Sequence, residues 1–178
     1  KSVLAIALVC CSAFLANAAI KSETVEYTHD GTTLEGYYVY DDSRQEPRPA
    51  VLVVHQWKGL TAYEKRRANM LAELGYVVFA VDIYGKGVRP ETTQEAGKLA
   101  GQYKGDRALL RGRVNAGLAK LKSYSRVDSA KVAAIGYCFG GTTVLELARG
   151  GADVRGVVSF HGGLGSPKPE DAKNIRCK

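Results

Sequence analysis

Histidine, methionine and tryptophan are scarce in this chain, with three His, one Met and one Trp in 178 residues. So few histidines, and no Cys-x-x-Cys, leave no strong zinc pattern, and nothing in the chain calls for a cofactor. The four cysteines do not make a disulfide framework either, because Cys10 and Cys11 lie in an apolar N-terminal stretch and only Cys138 and Cys177 follow it. Block charge is also missing. The 25 Lys and Arg against 18 Asp and Glu give a formal charge of +7, but the basic residues are scattered through loops and helices. Nucleic-acid binding needs a basic stripe with interleaved aromatics, so that class is excluded. The apolar run Val3–Leu15 is too short to cross a bilayer as a permanent helix. With 46% hydrophobic residues, one sizeable core can form and no second one is indicated.

Lys1 precedes that apolar run and Ala16-Asn17-Ala18 follows it. A basic start, an apolar middle and a small-residue cleavage site make a secretory signal. Residues 1–18 are therefore expected to be a leader, cleaved to give a mature start at Ala19 in a secreted or periplasmic protein. Cys10 and Cys11 follow Val9 and Cys10 instead of a small residue, so no lipid anchor is expected.

From residue 19 the pattern is that of one α/β domain. Thr24–Thr28 and Leu34–Tyr40 alternate around His29-Asp30-Gly31-Thr32, which predicts an antiparallel hairpin. Ala50–His55, Tyr76–Asp82, Val132–Tyr137 and Val154–Phe160 are continuous apolar runs, the kind that are buried on both faces in a parallel sheet. Between them, Thr61-Ala62-Tyr63-Glu64 is a capping box opening a helix whose apolar face is Tyr63, Met70, Leu71 and Leu74. Helices are also predicted around Glu91–Leu99 and Asp106–Lys122. Ile83–Pro90, with Gly85 and Gly87, reads as a mobile strand-end loop, Val127–Ala130 as a turn, and Ser166–Lys178 as a tail without a further element. Strands alternating with helices after a hairpin predict a mainly parallel sheet covered on both faces. Right-handed crossovers would gather the loops after Val54, Asp82, Tyr137 and Phe160 at one sheet edge, where ligands bind in such folds.

One of those loops carries chemistry. Gly136-Tyr137-Cys138-Phe139-Gly140-Gly141 follows a strand and opens a helix, which is a nucleophile elbow with sulfur in place of oxygen. Gly136, Gly140 and Gly141 let strand and helix approach closely, and the free amides of the helix start can hold negative charge.

These residues, with Val53-Val54-His55-Gln56-Trp57-Lys58-Gly59-Leu60 and Asp82-Ile83-Tyr84-Gly85, resemble the dienelactone hydrolases, a cysteine-dependent branch of the α/β-hydrolases. The resemblance runs from about Val25 to the last residue. It implies hydrolysis of a small ester or lactone, with Cys138 attacking the carbonyl and a thioester as intermediate. It also implies an oxyanion hole from the amides of Trp57 and Phe139; Tyr84 is expected on the substrate side, and His161, from its place at the end of the next strand, as a hydrogen-bonding residue lining the cleft. Lys86 falls where the name-giving enzyme has an arginine that grips a substrate carboxylate, and Gln56 falls where the family has a glutamate that helps to activate the thiol. His55 is expected to steady the oxyanion loop, and Asp82 to cap its own loop. A triad in this fold runs nucleophile, acid, histidine, each after a later strand. Only His161 follows Cys138, so the acid and histidine, with the last strands and helices of the fold, are expected beyond Lys178, and the 178 residues alone are expected to be inactive. Two other classes stay open at this point. Gln56 would suit a binding protein that has lost catalysis, and Cys138 with Cys177 could serve a thiol redox protein.

Overall fold

Asp30 and Gly31 both take positive φ, 45° and 72°. This is the two-residue turn whose twist matches that of the strands it joins. It pairs β1 (Ile20–His29) with β2 (Thr32–Asp41) in continuous antiparallel register from His29↔Thr32 to Ile20↔Asp41. The structure, a computed structural model, describes residues 19–178, so the expected leader Lys1–Ala18 lies outside the described residues.

The remaining elements alternate. They are β3 (Arg48–Val54), α1 (Ala62–Glu73), β4 (Val77–Val81), α2 (Thr93–Gly105), α3 (Arg107–Lys122), β5 (Val127–Tyr137), α4 (Phe139–Arg149) and β6 (Gly156–Phe160). The sheet order is β1-β2-β4-β3-β5-β6. β2 meets β4 antiparallel, and β4, β3, β5 and β6 run parallel, so the α/β-hydrolase-like architecture expected from the sequence is present. One face of the sheet, with Leu52, Phe79, Val81 and Ala134, packs against Leu110, Val114, Leu118 and Leu121 of α3 and Val144 and Leu147 of α4. The other face, with Val51, Val53, Val78 and Ala80, packs against α1.

Several local readings are corrected by this packing. On α1, Met70 and Leu74 are exposed, and the buried stripe is Glu64, Ala68 and Ala72. Small alanines let the helix settle close to the sheet, and that gain in contact outweighs the pull of the larger side chains one face away. Val127–Ala130 belongs to β5, not to a turn. Arg48 pairs with Val127 and Ala50 with Val132, so β5 advances five residues while β3 advances two, and the excess is accommodated as a bulge. The tail forms a 3₁₀ turn over Pro169–Asn174, after which Lys178 lies beside β6, donating to Arg155 O at 3.2 Å and accepting from Val157 N at 2.8 Å. The loop Ile83–Pro90 is pinned. Asp82 Oδ1 accepts the amides of Tyr84 (3.1 Å) and Gly85 (3.2 Å), and Oδ2 accepts that of Glu35 (3.2 Å). This is the loop-capping role expected of Asp82.

Candidate active site

The C-terminal ends of β3, β5 and β6 meet at Cys138. The residue takes φ 54° and ψ −112°, a backbone position that costs a non-glycine residue about 1–3 kcal/mol and is held only where the surroundings enforce it. The glycines around it are what make the turn possible. A Cβ on Gly136 would stand 2.0 Å from Gly140 O, one on Gly140 would stand 2.3 Å from Val54 O, and one on Gly141 would stand 2.7 Å from Ser159 Oγ. The Cys138 amide donates to Phe160 O at 2.9 Å, which ties the elbow to the end of β6.

The loop after β3 is held by several hydrogen bonds. His55 is fully buried, its Nδ1–H donates to Gln56 O (2.6 Å) and its Nε2 accepts from Ile83 N (3.1 Å). Burial holds its pKa below the usual 6.5, and the Ile83 amide donating to Nε2 fixes the tautomer with the proton on Nδ1. Glu64, also fully buried, accepts Gln56 N at 3.3 Å and the Thr61 amide and hydroxyl at 2.9 and 2.6 Å. Tyr84 Oη donates to Trp57 O at 3.0 Å, and Arg89 Nε donates to Leu60 O at 2.9 Å. Neither Trp57 N nor Phe139 N has a hydrogen-bond acceptor among the described residues, and both residues line the same cleft as Cys138.

That cleft has a volume of about 440 Å³ and is lined by Trp57, Gly97, Ala100, Lys104, Arg107, Cys138, Phe139, Thr142, His161, Gly163 and Gly165. His161, the first residue past β6, takes φ 45°. The turn behind it presses on the start of α4, with Gly163 N donating to Thr142 Oγ1 at 2.9 Å.

The structure thus brings Cys138, Trp57, Phe139 and His161 together, with Gly136, Gly140 and Gly141 beneath them, and His55 and Gln56 in the loop behind. Gln56 takes part through its backbone. Two residues expected on the substrate side are not among those lining the cleft. Lys86 does not line the cleft: it is half-exposed and pairs with Glu26 of β1, because its loop is tied to the hairpin through Lys86 N and Thr33 O at 2.9 Å. Tyr84 is buried and supports the oxyanion loop from behind. Burial raises its phenol pKa, and its hydroxyl is engaged by Trp57 O. Arg107, Lys104 and Thr142 were missed because helix-surface spacing does not show which cleft a side chain lines. The Thr61–Glu64 capping box did point to Glu64.

With this geometry in view, the comparisons with known proteins are decisive at the level of family. The model of the dienelactone hydrolase family matches residues 34–178. The chain belongs to this family. As a dienelactone hydrolase family member it is 31% identical, over 71% of its own length, to a protein of Bradyrhizobium sp. named as a probable 2-oxo-3-(5-oxofuran-2-ylidene)propanoate lactonase, covering 51% of that protein. It is 32% identical, again over 71% of its length, to a putative carboxymethylenebutenolidase of Aquifex aeolicus, covering 54% of it. Among solved structures it is similar to a dienelactone hydrolase-like promiscuous phosphotriesterase from metagenomic libraries. That match has a TM-score of 0.84 and 39% identity, and covers 89% of this chain and 66% of the other. The chain spans about half the length of the curated relatives it matches.

Proposed function

We propose that this chain carries the nucleophile half of a carboxylic ester or lactone hydrolase in which Cys138 works through a thioester. The observation that carries the reading is the joint placement of a strained cysteine at a helix start and two acceptor-free amides, Trp57 N and Phe139 N, on one cleft. The thiolate sulfur adds to the substrate carbonyl carbon, and the carbonyl π electrons move onto oxygen, where the two amides can donate to it. When that charge returns, the carbon–oxygen bond to the alkoxide breaks and the alkoxide leaves with the proton that the Cys138 thiol gave up on becoming a thiolate. Water then adds to the thioester, the acid departs and the thiol is restored. His55 does not supply the proton, because both its nitrogens are committed. Family membership supports small esters or lactones as substrates. We also propose export, with cleavage after Ala18, on the strength of the leader-like stretch alone.

The test is turnover of p-nitrophenyl acetate by the full-length protein, with Cys138→Ala beside it and mass spectrometry of acid-quenched samples. The reading requires an acetyl group on Cys138 during turnover and loss of at least about a thousandfold in rate without the thiol. Full activity of Cys138→Ala, or an adduct on another side chain, overturns it. N-terminal sequencing of exported protein tests for a start at Ala19.

A further inference from the structure

We propose that His161 is a substrate-contacting residue of the Cys138 cleft, whose imidazole donates a hydrogen bond to the alkoxy oxygen of the bound ester or lactone. This rests on the hydrolase reading and adds to it the side chain that meets the leaving group. β5 and β6 run parallel with Tyr137 opposite Phe160, so Cys138 and His161 are equivalent residues just past the ends of neighbouring strands. Both take positive φ, 54° and 45°, and both line one cleft. Asp30 is the other non-glycine residue with positive φ among the described residues, and there the hairpin turn itself demands that backbone.

Folding alone gives no reason for a side chain at position 161. Positive φ suits glycine and strains a residue with a Cβ, and in other loops it falls on glycines such as Gly59, Gly75, Gly85 and Gly151. His161 is exposed, so burial of its ring does not offset that strain. What the backbone secures is direction. A Cβ on Gly162 would stand 2.4 Å from Gly141 C and 2.5 Å from Thr142 N, so the turn is seated against the start of α4, and the Cys138 amide holds Phe160 O at 2.9 Å. His161 lies between these two fixed points. The loop gives three residues to the cleft, His161, Gly163 and Gly165, so the imidazole is the one side chain it presents there. With the carbonyl oxygen of an ester on the amides of Trp57 and Phe139, the oxygen that remains is the alkoxy oxygen, an acceptor for an imidazole N–H.

The test separates the two chemical steps in the full-length protein. Acylation is read from single-turnover release of p-nitrophenol or phenol from the acetate esters, and deacylation from the decay of acetyl-Cys138 by mass. The alkoxy oxygen is present only in the first step. His161→Gly and His161→Ala are therefore each expected to slow acylation by p-nitrophenyl acetate about tenfold and to leave deacylation within about twofold of wild type. The loss should be larger with phenyl acetate, whose poorer leaving oxygen carries more charge as the bond breaks. His161→Asn, which tolerates the same backbone and keeps an N–H donor, should retain part of the rate. Because glycine relieves the strain and alanine does not, the glycine variant should melt about 2–4 °C above the alanine variant. Acylation equal to wild type in a folded His161→Gly protein, a fall shared equally by deacylation, or a glycine variant melting no higher than the alanine one overturns the proposal. In each case acetyl-Cys138 still forms and the hydrolase reading stands. Absence of acetyl-Cys138 in the wild type removes that reading and this proposal with it.

Discussion

Tyr84, near the start of the loop after β4, donates its hydroxyl to the carbonyl of Trp57 at 3.0 Å. Its own carbonyl accepts from Tyr103 Oη at 3.0 Å, so a chain of two hydrogen bonds, the first buried and the second part-buried, runs from α2 to the peptide group next to the candidate oxyanion donor. In Tyr84→Phe the ring is kept and only that bond is lost. The expected result is a melting temperature lowered by the worth of one hydrogen bond, about 1 kcal/mol, with kcat down about tenfold and KM little changed. An unchanged kcat would mean the Trp57 loop holds its position without Tyr84.

Cys138 and Cys177 are both partly buried, but only Cys138 lies at a helix start on an open cleft, whereas Cys177 packs against the core. Alkylation of the native protein at neutral pH is therefore expected to place the first adduct on Cys138. Peptide mapping that found Cys177 labelled first would sink its assignment as nucleophile.

Gln56 cannot accept a proton, and its amide is bonded to the buried Glu64. Gln56→Glu would bring a second carboxylate into the same loop. The expected outcome is a rise in ester turnover of about tenfold with a shifted pH profile, because a nearby base can take the thiol proton, together with a lower melting temperature from repulsion by Glu64. A rate and pH profile identical to wild type would leave residue 56 with a purely structural part.

His55 has a folded-state pKa below the 6.5 of an unfolded histidine, because burial disfavours its charged form. Protonation would also turn Nε2 into a donor facing the Ile83 amide. Between the two values the unfolded chain binds the extra proton, so the stabilisation from neutral His55 is complete above pH 6.5 and is lost as pH falls toward the folded value. Denaturant unfolding should show stability falling by up to about 1.4 kcal/mol per pH unit from this group below pH 6.5. The carboxylates held low, such as Asp41 and Asp42, act only nearer their ordinary value of 3.8. In His55→Asn the slope between pH 5 and 6.5 should flatten, and a slope equal to wild type would exclude His55 as its source.

What the sequence determined by itself was local. The hairpin follows from Asp30-Gly31, because two positive φ values leave the chain few other turns, and the start of α1 follows from Thr61 and Glu64, which satisfy each other's backbone donors across one turn. The elbow at Cys138 is legible in part for the same reason, since Gly136 is demanded by Gly140 O four residues on, whereas Gly140 is demanded by Val54 O at the end of β3, which only the packed sheet brings there. Tertiary structure alone decided the rest of the site. Lys86 and Tyr84 are two residues apart, yet one is drawn outward to Glu26 and the other is buried against Trp57, according to what β1 and the β3 loop offer each of them. Arg107 looks like any charged helix residue until α2, α3 and α4 pack on one face of the sheet. Only then do Arg111 and Arg149 take up Glu146 and leave Arg107 on the cleft. Such assignments depend on which of several distant partners reaches a charge first. Spacing along the chain carries no record of that competition, because it is settled by the order of strands in the sheet and the distances that order imposes.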